Sequence, residues 1–406
     1  MSATTQPKTT KHRRRLATAT IALLCAIAFN VNAAPTYTNV YNFDGLTGSV
    51  GARYNSLLGT SALVQGSDGN LYGTAYTDQS SPTCGTIFRV TQGGNLAKLH
   101  DFTQLDGCNP HGGLTLGRDG AFYGATYSGG TYNSGVIFRV ARGGSISTLA
   151  HFPSPYDTDN VGVLEKSTLT LGEDGNFYGV ARRGGNGYGT VFKATPGGAL
   201  TLLHKFNYSD GSQPDGPLIR GKDGNFYGST PFGGAYHQGV AFKISRMGVY
   251  NVLHHFGATE TGPRNPAGAL AQHGDGNFYG VTTNGGLHSA GTVYKMTPNG
   301  AVTKLYNFDS SNRGRGAYPY SGLIKGKDGK LYGATSTGGA ALNACDCGVL
   351  FSVTTSGAYT ALAAFNGANG KFPYHAAPTQ HTNGSLYGLA AGGANNLGII
   401  YKLTPQ

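Results

Sequence analysis

Tryptophan is absent from the 406 residues, methionine occurs three times, and charged residues make up only 12%. Aromatic content therefore rests on 25 Tyr and 19 Phe. Nothing beyond the N-terminus sustains a helical period, which argues against an α-helical fold. Basic residues outnumber acidic ones, with a formal net charge of +11, but they are scattered and form no stripe, so nucleic acid is not an expected partner. No strained-elbow motif supports a serine nucleophile, no His or Cys spacing singles out a metal site, and no cofactor is implied. Glycine, by contrast, is abundant at 67 residues. A glycine-rich, charge-poor chain can be disordered, but its recurring aromatic and β-branched runs argue for order.

The N-terminus reads as an export signal. Lys8, Lys11 and Arg13 to Arg15 precede an apolar run from Leu16 to Phe29, and the small residues of "VNAAP" place the cleavage after Ala33. A membrane anchor needs about 20 apolar residues, and this run is shorter and interrupted by threonines. The arginines resemble part of a twin-arginine signal, without the full motif. Cys25 falls in the discarded segment and lacks the small residue that precedes a lipoprotein cysteine. Setting aside residues 1–33, with five basic and no acidic residues, lowers the formal charge from +11 to +6. The expected product is secreted or periplasmic, monomeric and not membrane-spanning. Its charge suits an acidic polysaccharide or an anionic envelope surface.

Self-similarity organises the rest. The phrase "DGNFYG" stands at 174–179, 223–228 and 275–280, and its tyrosine recurs as Tyr72, Tyr123, Tyr178, Tyr227, Tyr279, Tyr332 and Tyr387 in steps of 49 to 55 residues. In the last copy Asn383 replaces the Asp. Each copy holds four short segments: an apolar run such as "GLTLG", the phrase itself, a Gly-x-aliphatic-aromatic-basic run such as "GTVFK", and a run such as "TLLHKF". Lengths of 4–8 residues with Gly, Asn and Asp punctuation read as strands. Four antiparallel strands about every 50 residues predict a propeller, one copy per blade.

The seventh copy ends after its third segment, and the missing fourth sits at the other end as "YTNVYNF" at 37–43. A ring closed by pairing that segment into the last blade explains the offset and leaves no open sheet edge, unlike a linear solenoid. The prediction is an all-β fold: one seven-bladed β-propeller of four-stranded blades over residues 34–406. Within "DGNFYG" the Asp-Gly makes the hairpin turn, Phe and Tyr point to opposite faces of the blade, and the last Gly is expected to admit an adjacent backbone. One Asp per turn is too few for a calcium loop. The third-segment aromatics, Phe88 to Tyr401, and the fourth-segment phenylalanines, Phe43 to Phe365, are assigned to the core.

These tandem phrases resemble the GloVer-type repeat family of exported bacterial proteins, and more distantly the NHL and streptogramin-lyase-type propellers. The resemblance covers nearly all of the chain after the leader. It implies an exported propeller and carries no reaction to particular residues. Anchored members end in a sorting tail, whereas this sequence stops at Gln406 without one.

Function is expected where the copies differ. The longer second-to-third and fourth-to-first connections emerge on one face. Pro110, Pro214, Pro266, Pro319 and Pro373 each stand four residues ahead of an aligned Leu or Ala, with Glu165 in the same slot of blade three. The next residue faces the channel mouth: Thr60, His111, Lys166, Asp215, Ala267, Tyr320 and Tyr374, with His375 following. The second-to-third loops add Tyr188, Tyr236, His237 and His288. As a binding module, this rim offers a glycan or protein Tyr rings for stacking and cations for acidic groups. As an enzyme, the favoured reaction is β-elimination on a uronate polysaccharide. There a Tyr or His takes the proton and Lys neutralises the carboxylate, with His111, Lys166, Tyr320, Tyr374 and His375 as candidates. Hydrolysis by Glu165 and Asp215 is weaker, because their separation is unknown from sequence. A disulfide between Cys84 and Cys108 would pin this face. Cys345 and Cys347 read as an ordinary bridge or as free thiols.

Overall fold

A computed structural model describes residues 1–3, 34–44, 62–76, 84–153, 161–162, 168–339, 345–373 and 377–405. The chain separates into one compact unit, Pro35–Pro405, and a second formed by Met1–Ala34 with Gln406. The expected leader lies almost wholly outside the described residues. In the first unit, seven four-stranded antiparallel sheets follow one another, six of them with their strands in chain order and the seventh combining the last three strands with the first. Blade one, for example, comprises Val64–Gln65, Leu71–Ala75, Thr86–Val90 and Leu96–Asp101. The one helical element among the described residues is a 3-10 turn at Arg313–Arg315.

The seventh sheet closes as the repeat offset predicts. Thr36–Asn42 pairs antiparallel with Ile399–Thr404, from Thr36 opposite Thr404 to Asn42 opposite Ile399. The Phe43 N–H continues the pairing with a bond to the Gly398 carbonyl at 3.1 Å. Blade seven also meets blade one directly, because the Thr379 hydroxyl donates to the Leu63 carbonyl and His381 Nε2 lies 2.8 Å from the Gly69 carbonyl. The arrangement is a seven-bladed β-propeller.

The repeated phrase builds the walls between blades. Tyr72 of blade one lies 4.2 Å from Phe122 of blade two, Tyr123 lies 4.2 Å from Phe177, Tyr178 lies 4.0 Å from Phe226 and Tyr227 lies 4.1 Å from Phe278. Leucine fills the Phe slot in the remaining blades, so Tyr279 packs with Leu331, Tyr332 with Leu386 and Tyr387 with Leu71. The last pair completes the circle. Adjacent residues of a strand point to opposite faces, so one dipeptide supplies both walls of a blade.

The same tyrosines reach back to the hairpin. In six blades the Tyr hydroxyl donates to Oδ2 of the turn Asp; Tyr178 to Asp174 is 2.8 Å. The Asp also accepts from the backbone and side-chain nitrogens of Asn176, while Gly175 takes φ +79°, a conformation glycine adopts without strain. In blade seven the donor is reversed, and the Asn383 amide points at the Tyr387 hydroxyl.

Three expectations need correction. The last Gly of the phrase does not admit a neighbouring backbone. A Cβ at Gly179 would strike the Phe192 ring of the same blade's third strand, and Gly73 stands likewise against Phe88. Second, the innermost strands are not 4–8 residues long; six have two residues, and only Pro263–Gln272 of blade five is long. Inner segments of neighbouring blades also bond one another, as in Leu323 N–H to the Ala269 carbonyl and Thr170 hydroxyl to the Leu218 carbonyl. Third, Thr379 pairs with Tyr387 as Val64 pairs with Tyr72, so Pro378, not Ala377, occupies the leucine slot of blade seven. Pro373 therefore stands five residues ahead of that slot.

Candidate binding face

A repeated clamp presents the channel-mouth residues. The residue before each rim proline has a left-handed backbone although none is glycine: Asn109 (φ 58°), Gln213 (55°), Asn265 (55°), Tyr318 (54°) and Phe372 (49°). Such residues cost about 1 kcal/mol or more unless the surroundings hold them. Here each N–H bonds the carbonyl just ahead of the preceding blade's third strand; Gln213 to Tyr188 and Asn109 to Cys84 are both 2.7 Å. The proline ring then lies on the glycine that opens that strand, Pro214 on Gly189 and Pro110 on Gly85. Blade one adds a covalent bond at this place. Cys84 and Cys108 form the expected disulfide with Cα atoms 4.4 Å apart, next to Asn109. Cys345 and Cys347 are also placed within bonding distance.

The expected single rim resolves into separate groups. His111 is stacked on Tyr76 at 4.4 Å and lies 5.6 Å from the tilted ring of Tyr127, so its imidazole belongs to an aromatic group. Burial pushes the Tyr76 phenol well above its ordinary range. Asp215 of blade four is close enough to Tyr320 of blade six for its negative charge to act on the phenol. Tyr320's phenol is raised first by burial, then by Asp215 and Tyr318. In blade five, between them in blade order, the corresponding residue is only Ala267. Beneath it the backbones of Gly216, Gly268 and Gly322 pass too closely for any Cβ. Arg182 Nη2 donates to Gln213 Oε1 at 3.1 Å, two residues before Asp215 in the chain.

A third group gathers on blades three and four. Tyr188, 38% exposed, lies 5.5 Å from Tyr208, which lies 5.6 Å from His237. Phe232 (41% exposed) and Tyr236 (47%) stand on the same blade-four loop as His237. Tyr208 is held by a tight turn: its N–H bonds the Gly211 carbonyl, and Asp210 accepts from Asn207 N–H and lies 3.0 Å from His204 Nε2. His237 itself sits at φ 59°, the turn position filled elsewhere by Asn133, Ser289 and Asn396, so its backbone role belongs to the repeat. His288 stands apart, with Nε2 3.7 Å from Asp309.

Lys166, Tyr374 and His375, with Thr60 and Glu165, lie outside the described residues. Sequence reading missed Tyr76, Tyr127, Arg182, Tyr208 and Phe232. The first three follow second strands at corresponding places and could have been found by alignment; Tyr208 is visible only as the aromatic of "NYSDG". Among the described residues no three His, Cys, Asp or Glu side chains converge as a metal site. Nor does any helix there reach the length and apolarity needed to cross a membrane.

Comparison with solved structures identifies the architecture alone. A protein from Lactobacillus plantarum superposes with a TM-score of 0.50 at 16% identity, covering 81% of this chain and 95% of that one. The periplasmic gluconolactonase of Pseudomonas aeruginosa gives 0.49 at 17%, covering 82% and 96%. A protein from Dyadobacter fermentans gives 0.47 at 11%, covering 90% and 96%. No curated protein sequence is significantly similar. The profile of the Gloeobacter/Verrucomicrobia repeat matches residues 27–164 and 165–401, and the chain belongs to that family.

Proposed function

We propose that this propeller is a binding module that holds a glycan on its long-loop face. The observation that carries this reading is the aromatic group on blades three and four. Tyr188, Tyr208 and His237 form a connected set, with Phe232 and Tyr236 exposed on the same loop. Exposed rings with apolar faces and polar edges suit sugar rings, which present C–H groups on one side and hydroxyls around the rim. Arg182 and the Asp215–Tyr320 pair near the channel supply polar groups for orientation.

The lyase reading finds less support. A tyrosine that abstracts a proton works best with a lowered pKa, and burial together with Asp215 raises that of Tyr320. His111, the other candidate base among the described residues, has its ring stacked on Tyr76 and near that of Tyr127.

The test is titration of neutral and acidic polysaccharides against the protein and its Tyr188→Ala/Tyr236→Ala variant, with product release followed in parallel. Binding to at least one polymer, weakened tenfold or more in the variant and without product, is the expected result. Unchanged binding in the variant, or polymer cleavage, would overturn the reading.

A further inference from the structure

The excess positive charge of the propeller is not spread over it. Six third strands carry a basic residue one place from the short-loop end: Arg89, Arg139, Lys193, Lys243, Lys295 and Lys402, each opposite the repeat tyrosine. Nearer the axis, Arg118, Arg220, Lys222, Lys325 and Lys327 flank the first-to-second turns, and Lys330 follows the last of these. Arg142 and Arg246 stand on third-to-fourth turns. Against these fourteen cations the face holds seven anions, the six turn aspartates and Glu173. Elsewhere among the described residues of the propeller nine basic residues stand against eight acidic ones, so nearly all of their excess lies at the short-loop end.

Much of this charge is uncompensated. Lys222 and Lys327 donate to the carbonyls of Gly274 and Thr382 at 3.2 and 2.7 Å, partners that fix the side chain and carry no charge. A second feature is independent of charge. On the same face, Met247 is 86% and Val249 63% exposed, beside Arg246. The Met247 slot is Gly93, Gly143, Gly197, Asn299 or Ser356 in the other blades with this turn, and the Val249 slot is never larger than Asn. Two large apolar side chains in one turn of an otherwise small and polar series are not needed by the fold.

We propose that the short-loop face docks the protein on an anionic phospholipid bilayer, with the basic residues against headgroup phosphates and Met247 and Val249 inserted between headgroups. Basic residues near an anionic leaflet and a small apolar wedge are the two elements of reversible interfacial binding. An acidic polysaccharide would use the charge and leave the wedge without a role. The proposal is independent of the glycan reading, which concerns the opposite face.

Sedimentation of the 406-residue chain with phosphatidylglycerol vesicles, with phosphatidylcholine vesicles as reference, tests it. Binding is expected to the first and not the second, and to fall steeply as salt rises to about 0.5 M, where the screening length is a few ångströms. Lys222→Glu/Lys325→Glu/Lys327→Glu should weaken binding by about a hundredfold or more, since each reversal replaces attraction with repulsion. Met247→Ser/Val249→Ser, two exposed changes that leave the fold intact, should weaken it about tenfold. Both variants keep the leader segment, so binding that persists in them would come from the leader and overturn the proposal. Equal binding to both vesicle types would also overturn it, as would charge-dependent binding to a soluble acidic polysaccharide without vesicle binding.

Discussion

The two faces of the ring use the same kinds of residue for different ends. On the short-loop face Tyr and Asp recur at fixed places and satisfy each other, as Tyr227 does with Asp223 at 2.8 Å. On the long-loop face Tyr188 occupies a slot that holds Cys84, Ser134, Gln238, Ala290, Cys347 or Leu397 elsewhere, and its ring meets residues from another connection. A tyrosine repeated in every blade is a wall, whereas one present in a single blade is available for a partner. The difference lies in whether the backbone or the side chain is what the fold requires at that position.

The largest test of this contrast is Tyr227→Ala. That residue is 2% exposed, and its loss opens the wall between blades four and five. A destabilisation of about 3–5 kcal/mol is expected by urea unfolding, as for other buried aromatics. Next is Cys84→Ser/Cys108→Ser, which opens a loop spanning 24 residues. Chain entropy puts its cost at about 3 kcal/mol, and His111 three residues beyond Cys108 should show altered NMR shifts. Asp275→Ala should cost about 1 kcal/mol, because three hydrogen bonds to an exposed carboxylate are lost.

Asp275 also predicts a pH dependence. Desolvation pushes its carboxyl up, but the hydrogen bonds from Asn277 and Tyr279 outweigh this and hold it at about 2. A carboxyl with a lowered folded value stabilises fully above its unfolded value near 4 and loses that contribution as pH falls through about 2. Wild-type stability should therefore drop across this window more than that of the Ala variant. The smallest stability effect belongs to Tyr188→Ala, less than about 0.5 kcal/mol for an exposed ring. A loss comparable to that of Tyr227→Ala would erase the distinction between the faces.

The fold was legible because its determinants are local and repeated. Seven copies of one phrase set the blade count, and the phase offset between residues 37–43 and the final strand revealed how the ring closes. What misled was anything set by neighbours. The inner segments bond from blade to blade, as Thr170 does to Leu218, between residues 48 positions apart. The contact of Gly179 with Phe192 depends on strand register, which no single segment discloses. The candidate site was legible only as a set of slots. Alignment located Asp215 and Tyr320, but not that the charge of one acts on the phenol of the other, and the grouping of Tyr188 with His237 runs through Tyr208, which the repeat does not mark.

Closure of the last blade by Thr36–Asn42 has a consequence for biogenesis. The segment synthesised first among the strands finds its partner only after Ile399–Thr404 emerges, so it must stay soluble while six blades assemble. Its composition fits that wait: "TYTNVYN" has four polar residues, two tyrosines and one aliphatic side chain. Once the two meet, the ends of the propeller lie side by side, and new termini opened at a short hairpin such as Asp174-Gly175 would leave every pairing intact.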